Sequence, residues 1–247
     1  MIEARSRLIV ALDLPDRESA LSAVNQLAGH VGCFKLGLEI FVREGPRFVE
    51  EIIQKGERVF LDLKLHDIPN TVAAAVRSAC SLGVHMLTLH AAGGRKMLEA
   101  ASRSAEDAAS PPLLLAVSAL TSLSPEDVAA IGIREPLSDW VARLAEIACL
   151  AGIPGLVASS LELPLLKQKF GNRLRLVVPG IRPKGAAIND QSRIASPAEA
   201  IGAGADFLVV GRPILQSPDS AFAADQIVAE IDDALRVTLR KQQDQNQ

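Results

Sequence analysis

Eight short apolar runs, alternating with segments of helical spacing, predict an α/β protein folded as a (β/α)8 TIM barrel. A doubly wound open sheet shows the same alternation. The position of the polar residues favours the barrel. Asp13, Lys35, Asp62, Lys64, Ser118, Thr121 and Arg212 fall at or just after the C-terminal ends of the runs. Asp62 and Lys35 lie within their strands, where they suit the open mouth of a barrel and not a packed core. Length agrees: 247 residues without a linker-like stretch fit one barrel domain over residues 1–247, its last eight or so frayed.

The first run, residues 8–13, is Leu-Ile-Val-Ala-Leu-Asp, a continuous apolar strand of the kind buried on both faces. Pro15 and Asp16 turn the chain into a helix over residues 17–27. Residues 33–37 form a second strand that carries Lys35. A helix over residues 39–55 follows, with a break near Gly45-Pro46. Residues 59–63 are the third strand and residues 72–82 an Ala-rich helix. Residues 86–90 are the fourth strand, followed by a helix to about residue 105. Pro111-Pro112 marks a loop before the fifth strand, residues 113–118. Residues 125–151 are helical in pieces, with Pro136 as a break. The sixth strand spans residues 155–158 and its helix residues 161–170. The seventh spans residues 175–178 and the eighth residues 207–210. Short and long helices occupy residues 197–203 and 219–239.

Composition narrows the function. The chain is 49% hydrophobic and 22% charged, with net charge −3, so nothing in it draws nucleic acid or a membrane surface. Tyr is absent and aromatics make up 3%, which disfavours stacking on single strands. Cys33, Cys80 and Cys149 are scattered, without a Cys-x-x-Cys pair. They read as packing residues of a reduced, cytoplasmic protein. Met1-Ile-Glu-Ala-Arg-Ser-Arg lacks the apolar core of a signal peptide, and no run is long enough to span a bilayer.

The richest stretch for chemistry is Val-Phe-Leu-Asp-Leu-Lys-Leu-His-Asp-Ile-Pro-Asn-Thr, residues 59–71. Alternate strand residues share a face, so Asp62 and Lys64 point the same way, and Asp67 lies just past the strand end. Pro69 ends regular pairing, and Asn70 or Thr71 can cap the next helix. Two carboxylates flanking an ammonium describe either a structural ion-pair network or a catalytic lysine held between two acids. Asp62, Asp67, His66 and His90 include metal-ligand types, but Lys64 puts an ammonium where a divalent ion would sit.

Two basic elements follow the last two strands: Val-Pro-Gly-Ile-Arg182-Pro and Val-Gly211-Arg212-Pro. Glycine admits close approach of an anion and arginine offers paired donors to its oxygens. The ends of these strands commonly hold phosphate in barrels. The loop between them carries Lys184-Gly185 and Asp190-Gln191-Ser-Arg193. Its length and small residues fit a lid or an unstructured loop. His30, His85 and Trp140 read as surface or packing residues.

Together these motifs resemble the orotidine 5′-phosphate decarboxylase family in its bacterial single-domain form. The resemblance rests on Asp62-x-Lys64-x-x-Asp67-Ile-Pro-Asn-Thr71. It extends through Val-Ala-Leu-Asp13, Phe-Lys35-Leu-Gly, Leu-Thr121-Ser, Pro-Gly-Ile-Arg182-Pro, Asp-Gln191-Ser-Arg and Val-Gly-Arg212-Pro. It implies a homodimeric barrel, with no metal or cofactor, that converts orotidine 5′-monophosphate to UMP and CO2 in pyrimidine biosynthesis. It implies that Asp13 and Lys35 bind ribose, Asp62 faces the substrate carboxylate and Lys64 donates the proton. By the same resemblance Asp67 and Thr71 serve the neighbouring subunit's site and Thr121 contacts the pyrimidine. Arg182, Gln191, Gly211 and Arg212 hold the phosphate. Val84-His85 and Ser118-Ala119 depart from the family's usual residues at positions without a catalytic role. Sugar-phosphate decarboxylases and synthases share Asp-x-Lys-x-x-Asp but use Mg2+, and a non-catalytic nucleotide-binding barrel is a further alternative.

Overall fold

The computed structural model describes residues 2–183 and 195–245. Gln191, with the rest of residues 184–194 of the expected lid, lies outside the described residues. Eight parallel strands close into a barrel in chain order: β1 (Leu8–Ala11), β2 (Cys33–Leu36), β3 (Val59–Leu65), β4 (Met86–His90), β5 (Leu113–Val117), β6 (Gly155–Val157), β7 (Arg175–Val178) and β8 (Phe207–Val210). The pairing of β1 with β8 completes the ring. All eight expected strands are present, and the open-sheet alternative is excluded.

Strand parity divides the core in two. Ile9, Ala11, Cys33, Phe60, Met86, Leu115, Val177 and Val209 form a cluster that fills the barrel. Their strand neighbours, such as Leu8, Val10, Phe34, Leu61, Leu87 and Leu208, face outward into a second layer shared with the helices. Gly155 belongs to the interior set. A side chain there would run into Leu115, so the missing Cβ is what lets that leucine fill the centre.

The helices follow the sequence closely, with instructive exceptions. Arg17–Leu27 starts at Asp16, whose carboxylate accepts from the Ser19 amide at 2.8 Å. Gly45-Pro46 divides Leu38–Glu44 from Pro46–Gln54, and Pro136 precedes Leu137–Leu150. The helix after β3 runs Pro69–Leu82, three residues earlier than its apolar spacing suggests. Its N-cap is Ile68, which makes no side-chain cap bond, so neither Asn70 nor Thr71 caps it. Proline at the first turn needs no hydrogen-bond partner and brings a helical φ with it, which makes a polar cap dispensable. A short helix, Arg212–Leu215, follows β8, and the last helix reaches Gln245. Neither the short helix nor the extension beyond residue 239 is evident from apolar spacing. Among the described residues no helix is long and apolar enough to cross a membrane.

Gly32 illustrates how tightly the base of the barrel is closed. Its amide donates to the Leu8 carbonyl at 2.9 Å, and a Cβ there would lie 2.6 Å from the Ser6 Cα and 2.7 Å from the Arg5 carbonyl oxygen. Backbone cannot move aside as a side-chain tip can. Gly32→Ala is expected to cost about 1–3 kcal/mol, as overpacking does. At this chain length that lowers the melting temperature by roughly 2–4 °C per kcal/mol. Thermal unfolding followed by circular dichroism checks it; an unchanged midpoint would contradict the clash.

Candidate active site

The interior parity continues upward from the apolar filling into charge. Two residues beyond Cys33 in β2 stands Lys35, two beyond Phe60 in β3 stands Asp62, and two beyond Ala11 stands Asp13. These side chains therefore meet at the C-terminal mouth. Lys35 Nζ donates to Asp13 Oδ1 at 3.0 Å and lies 3.7 Å from Asp62 Oδ2. Lys64 Nζ lies 2.9 Å from both Asp62 oxygens. The order Asp13, Lys35, Asp62, Lys64 alternates in sign, so each inner charge has opposite neighbours on both sides. Exposure rises toward the ends of the row: the side chains of Lys35 and Asp62 are 11% and 13% exposed, those of Lys64 and Asp13 32% and 63%. Gly37 leaves room for the first pair, since a Cβ there would stand 3.2 Å from Lys35 Nζ and 3.3 Å from Asp13 Oδ1.

Lys64 does not reach Asp62 along a regular strand. Its φ is +50°, the one positive value outside glycine among the described residues, and the β3–β4 ladder shifts register between Leu61 and Leu65. Its amide leaves the ladder and donates to Thr88 Oγ1 at 2.8 Å. The expectation that Asp62 and Lys64 converge holds, although simple alternation is only part of the cause.

The row forms one wall of a cavity of about 500 Å3. Phe60, Val117, Val157, Val177 and Val209 supply apolar lining. Thr121 enters after β5, Gly180 and Arg182 after β7, and Gly211 and Arg212 after β8. The structure thus brings together Asp13, Lys35, Asp62, Lys64, Thr121, Arg182, Gly211 and Arg212. Arg182 is buried, with its guanidinium donating to the Ile181 carbonyl at 2.9 Å, and its amide bonds the Ala195 carbonyl. Ser118, also at a strand end, is turned away from such a role: its hydroxyl is buried and donates to the Val157 carbonyl.

Asp67 and Thr71 do not line this cavity. Both are exposed, and Asp67 Oδ1 accepts from the Ile68 amide at 2.6 Å. His66 and His90 stack, with ring centroids 5.3 Å apart, and His90 Nδ1 accepts from the Ala92 amide. Among the described residues no three His, Cys, Asp or Glu side chains are grouped to hold a metal ion.

Two residues escaped the sequence reading. Gln216, just beyond Arg212–Leu215, lines the cavity. Thr88 is fully buried beneath Asp62. Its signal was a hydroxyl at the interior parity of β4, two residues after Met86.

The chain belongs to the orotidine 5′-phosphate decarboxylase / HUMPS family. The model of that family matches residues 6–227. An orotidine 5′-phosphate decarboxylase of Syntrophotalea carbinolica is 49% identical over 240 residues, which cover 95% of this chain and 98% of the relative. One from Saccharophagus degradans is 47% identical over 91% of this chain and 94% of its own length. The crystal structure of orotidine 5′-phosphate decarboxylase from Lactobacillus acidophilus superposes with a TM-score of 0.82 at 35% identity, covering 91% of this chain and 98% of that one. The family's decarboxylase members therefore resemble this chain from the first strand to the last helix, in sequence and in fold.

Burial, then the His66 ring and the Lys64 ammonium, hold the His90 imidazole below its ordinary value of 6.5. Burial and Arg58 do the same to His85. A histidine kept neutral by folding takes up its proton more readily when unfolded. The unfolded state then binds more protons, and stability falls as pH drops through about 6.5. His90→Gln removes part of that linkage. Denaturant midpoints measured across this range should fall less steeply with acid in the variant than in the parent. Equal or steeper slopes would contradict the assignment.

Proposed function

We propose that the protein decarboxylates orotidine 5′-monophosphate to UMP and CO2 in pyrimidine biosynthesis, in the cytoplasm and without metal or cofactor. The observation that carries this reading is the Lys64 ammonium seated against Asp62 above an apolar floor, within a chain that belongs to the decarboxylase family. When the carboxyl group departs as CO2, its bonding pair stays on the ring carbon. No aligned π system absorbs that charge. A fixed ammonium stabilises it in place and then supplies the proton that completes UMP, leaving an amine that regains a proton from solvent. Asp62, beside Lys64, faces the departing carboxylate. Lys64 and Lys35 already give the Asp62 carboxylate its cationic partners, which supports the metal-free reading.

The remaining roles follow the cavity. Asp13 and Lys35 bind the ribose hydroxyls and Thr121 the pyrimidine. Arg182, Gly211 and Arg212, with Gln191, hold the phosphate. Phosphate binding, remote from the reacting carbon, supplies energy for ordering the site. Asp67 and Thr71 serve the partner site of a homodimer. Their exposure outside their own cavity supports this division.

Purified protein treated with EDTA should consume orotidine 5′-monophosphate, followed by the loss of its absorbance, with UMP as product. If EDTA abolishes turnover and Mg2+ restores it, the metal-dependent sugar-phosphate chemistry takes the place of this reading. UMP binding without turnover would leave a nucleotide-binding barrel.

The dimer is tested by mixing. Asp67→Asn and Lys64→Ala are each expected to be nearly inactive. Unfolded, mixed equally and refolded, about half the dimers are hybrids, each with one site built from an intact Lys64 and an intact Asp67, so roughly a quarter of wild-type activity should return. A mixture shown by native mass measurement to contain hybrids, yet no more active than its parents, would place both residues in one chain's site.

A further inference from the structure

Thr88 takes no part in the chemistry just described, yet it touches both halves of the central ion pair. Its hydroxyl accepts from the Lys64 amide at 2.8 Å and donates to Asp62 Oδ1 at 2.9 Å. The side chain is fully buried, so water cannot replace either bond. A hydroxyl has one proton. With that proton committed to the carboxylate, its lone pair is what remains for the amide, and the two bonds fix each other's direction. The amide it receives belongs to the residue with φ +50°, at the register slip between β3 and β4. A lysine is costly to hold there unless its surroundings determine it.

We propose that Thr88 is a positioning residue for the reaction. Its hydroxyl sets the rotation of the Asp62 carboxylate and holds the Lys64 backbone in the turn that brings Nζ against both Asp62 oxygens. This inference rests on the proposed decarboxylation for its kinetic consequence, though not for its geometric one. Substrate binding does not pass through Thr88, because ribose, base and phosphate are assigned to other side chains of the cavity. Loss of the hydroxyl therefore acts on the chemical step, where a small displacement of the proton donor costs much of the rate.

Thr88→Val keeps the shape and removes the hydroxyl. It is expected to lower kcat by about tenfold to a hundredfold, as small misplacements of catalytic groups do. UMP affinity should stay within about twofold, because the interactions shared by bound substrate and product are untouched. Thr88→Ser, which restores the hydroxyl, should recover most of kcat. A crystal structure of Thr88→Val should show Lys64 out of its positive-φ conformation, or its Nζ withdrawn from Asp62. Should the valine variant fail to fold, Thr88→Ser and Thr88→Cys form the comparison, two side chains of one shape that differ in hydroxyl and thiol; the serine must then be the faster. The proposal is overturned if Thr88→Val retains kcat within about twofold, if kcat and UMP affinity fall together in both Thr88→Val and Thr88→Ser, or if cysteine and serine perform alike. A parent enzyme inert toward orotidine 5′-monophosphate would refute the assigned reaction instead. In that case the crystal structure still decides the positioning role, and an unmoved Lys64 sinks it.

Discussion

A carboxylate taken largely out of water must be paired, and in this molecule the Asp62 carboxylate sets the terms for its neighbours. It accepts from Lys64 Nζ and the Thr88 hydroxyl and stands 3.7 Å from Lys35 Nζ. Without those partners its burial would cost several kcal/mol. Lys35 is equally buried and is balanced from its other side by Asp13, the most exposed member of the row. The charges thus stabilise one another in sequence from the apolar interior to solvent. Removing an inner one leaves the other inner charge, itself largely buried, with one opposite partner in place of two.

The barrel makes this row possible through a period of two. Interior positions of β2, β3 and β4 carry Cys33, Phe60 and Met86, and those of β1 carry Ile9 and Ala11. Two residues further on stand Asp13, Lys35, Asp62 and Thr88. The change from packing to chemistry occurs within one step along each strand. A well-packed layer directly beneath the charges excludes water from below and fixes the side chains that bear them. Valines of β5 to β8 at the same mouth leave the opposite wall apolar. The carboxylates and ammonium groups gather on the β1–β3 side of the cavity, while the valines of β5 to β8 face it from the other, with Arg182 and Arg212 beyond β7 and β8.

Much of this was legible in the chain because strands and barrels obey simple periodicities. Apolar runs announced all eight strands, Gly45-Pro46 and Pro136 announced helix breaks, and the polar ends of the runs announced the mouth. Asp13, Lys35, Asp62 and Lys64 were legible as charges that no core would keep. Thr88 was not, because a threonine in a strand is common and its meaning lies in the two groups it meets. The turn at Lys64 was hidden for a related reason. Lysine has no preference for positive φ, and tertiary bonds impose the conformation. Asn70 and Thr71 misled as caps because local capping preference yielded to the proline before them. Gln216 depended on a four-residue helix too short for periodicity to reveal.

On the role proposed for Lys64, its backbone places activity and foldability in opposition. Glycine or asparagine would occupy φ +50° with less strain, and a sequence chosen for stability alone would be drawn toward them at this position. Neither could offer an ammonium to Asp62. In the proposed reaction the strained turn is a compromise accepted for chemistry, and thermostabilised descendants of this chain should gain their stability elsewhere. A design method that scores backbone compatibility residue by residue would flag the lysine as a fault, where on the proposed role the fault is the point.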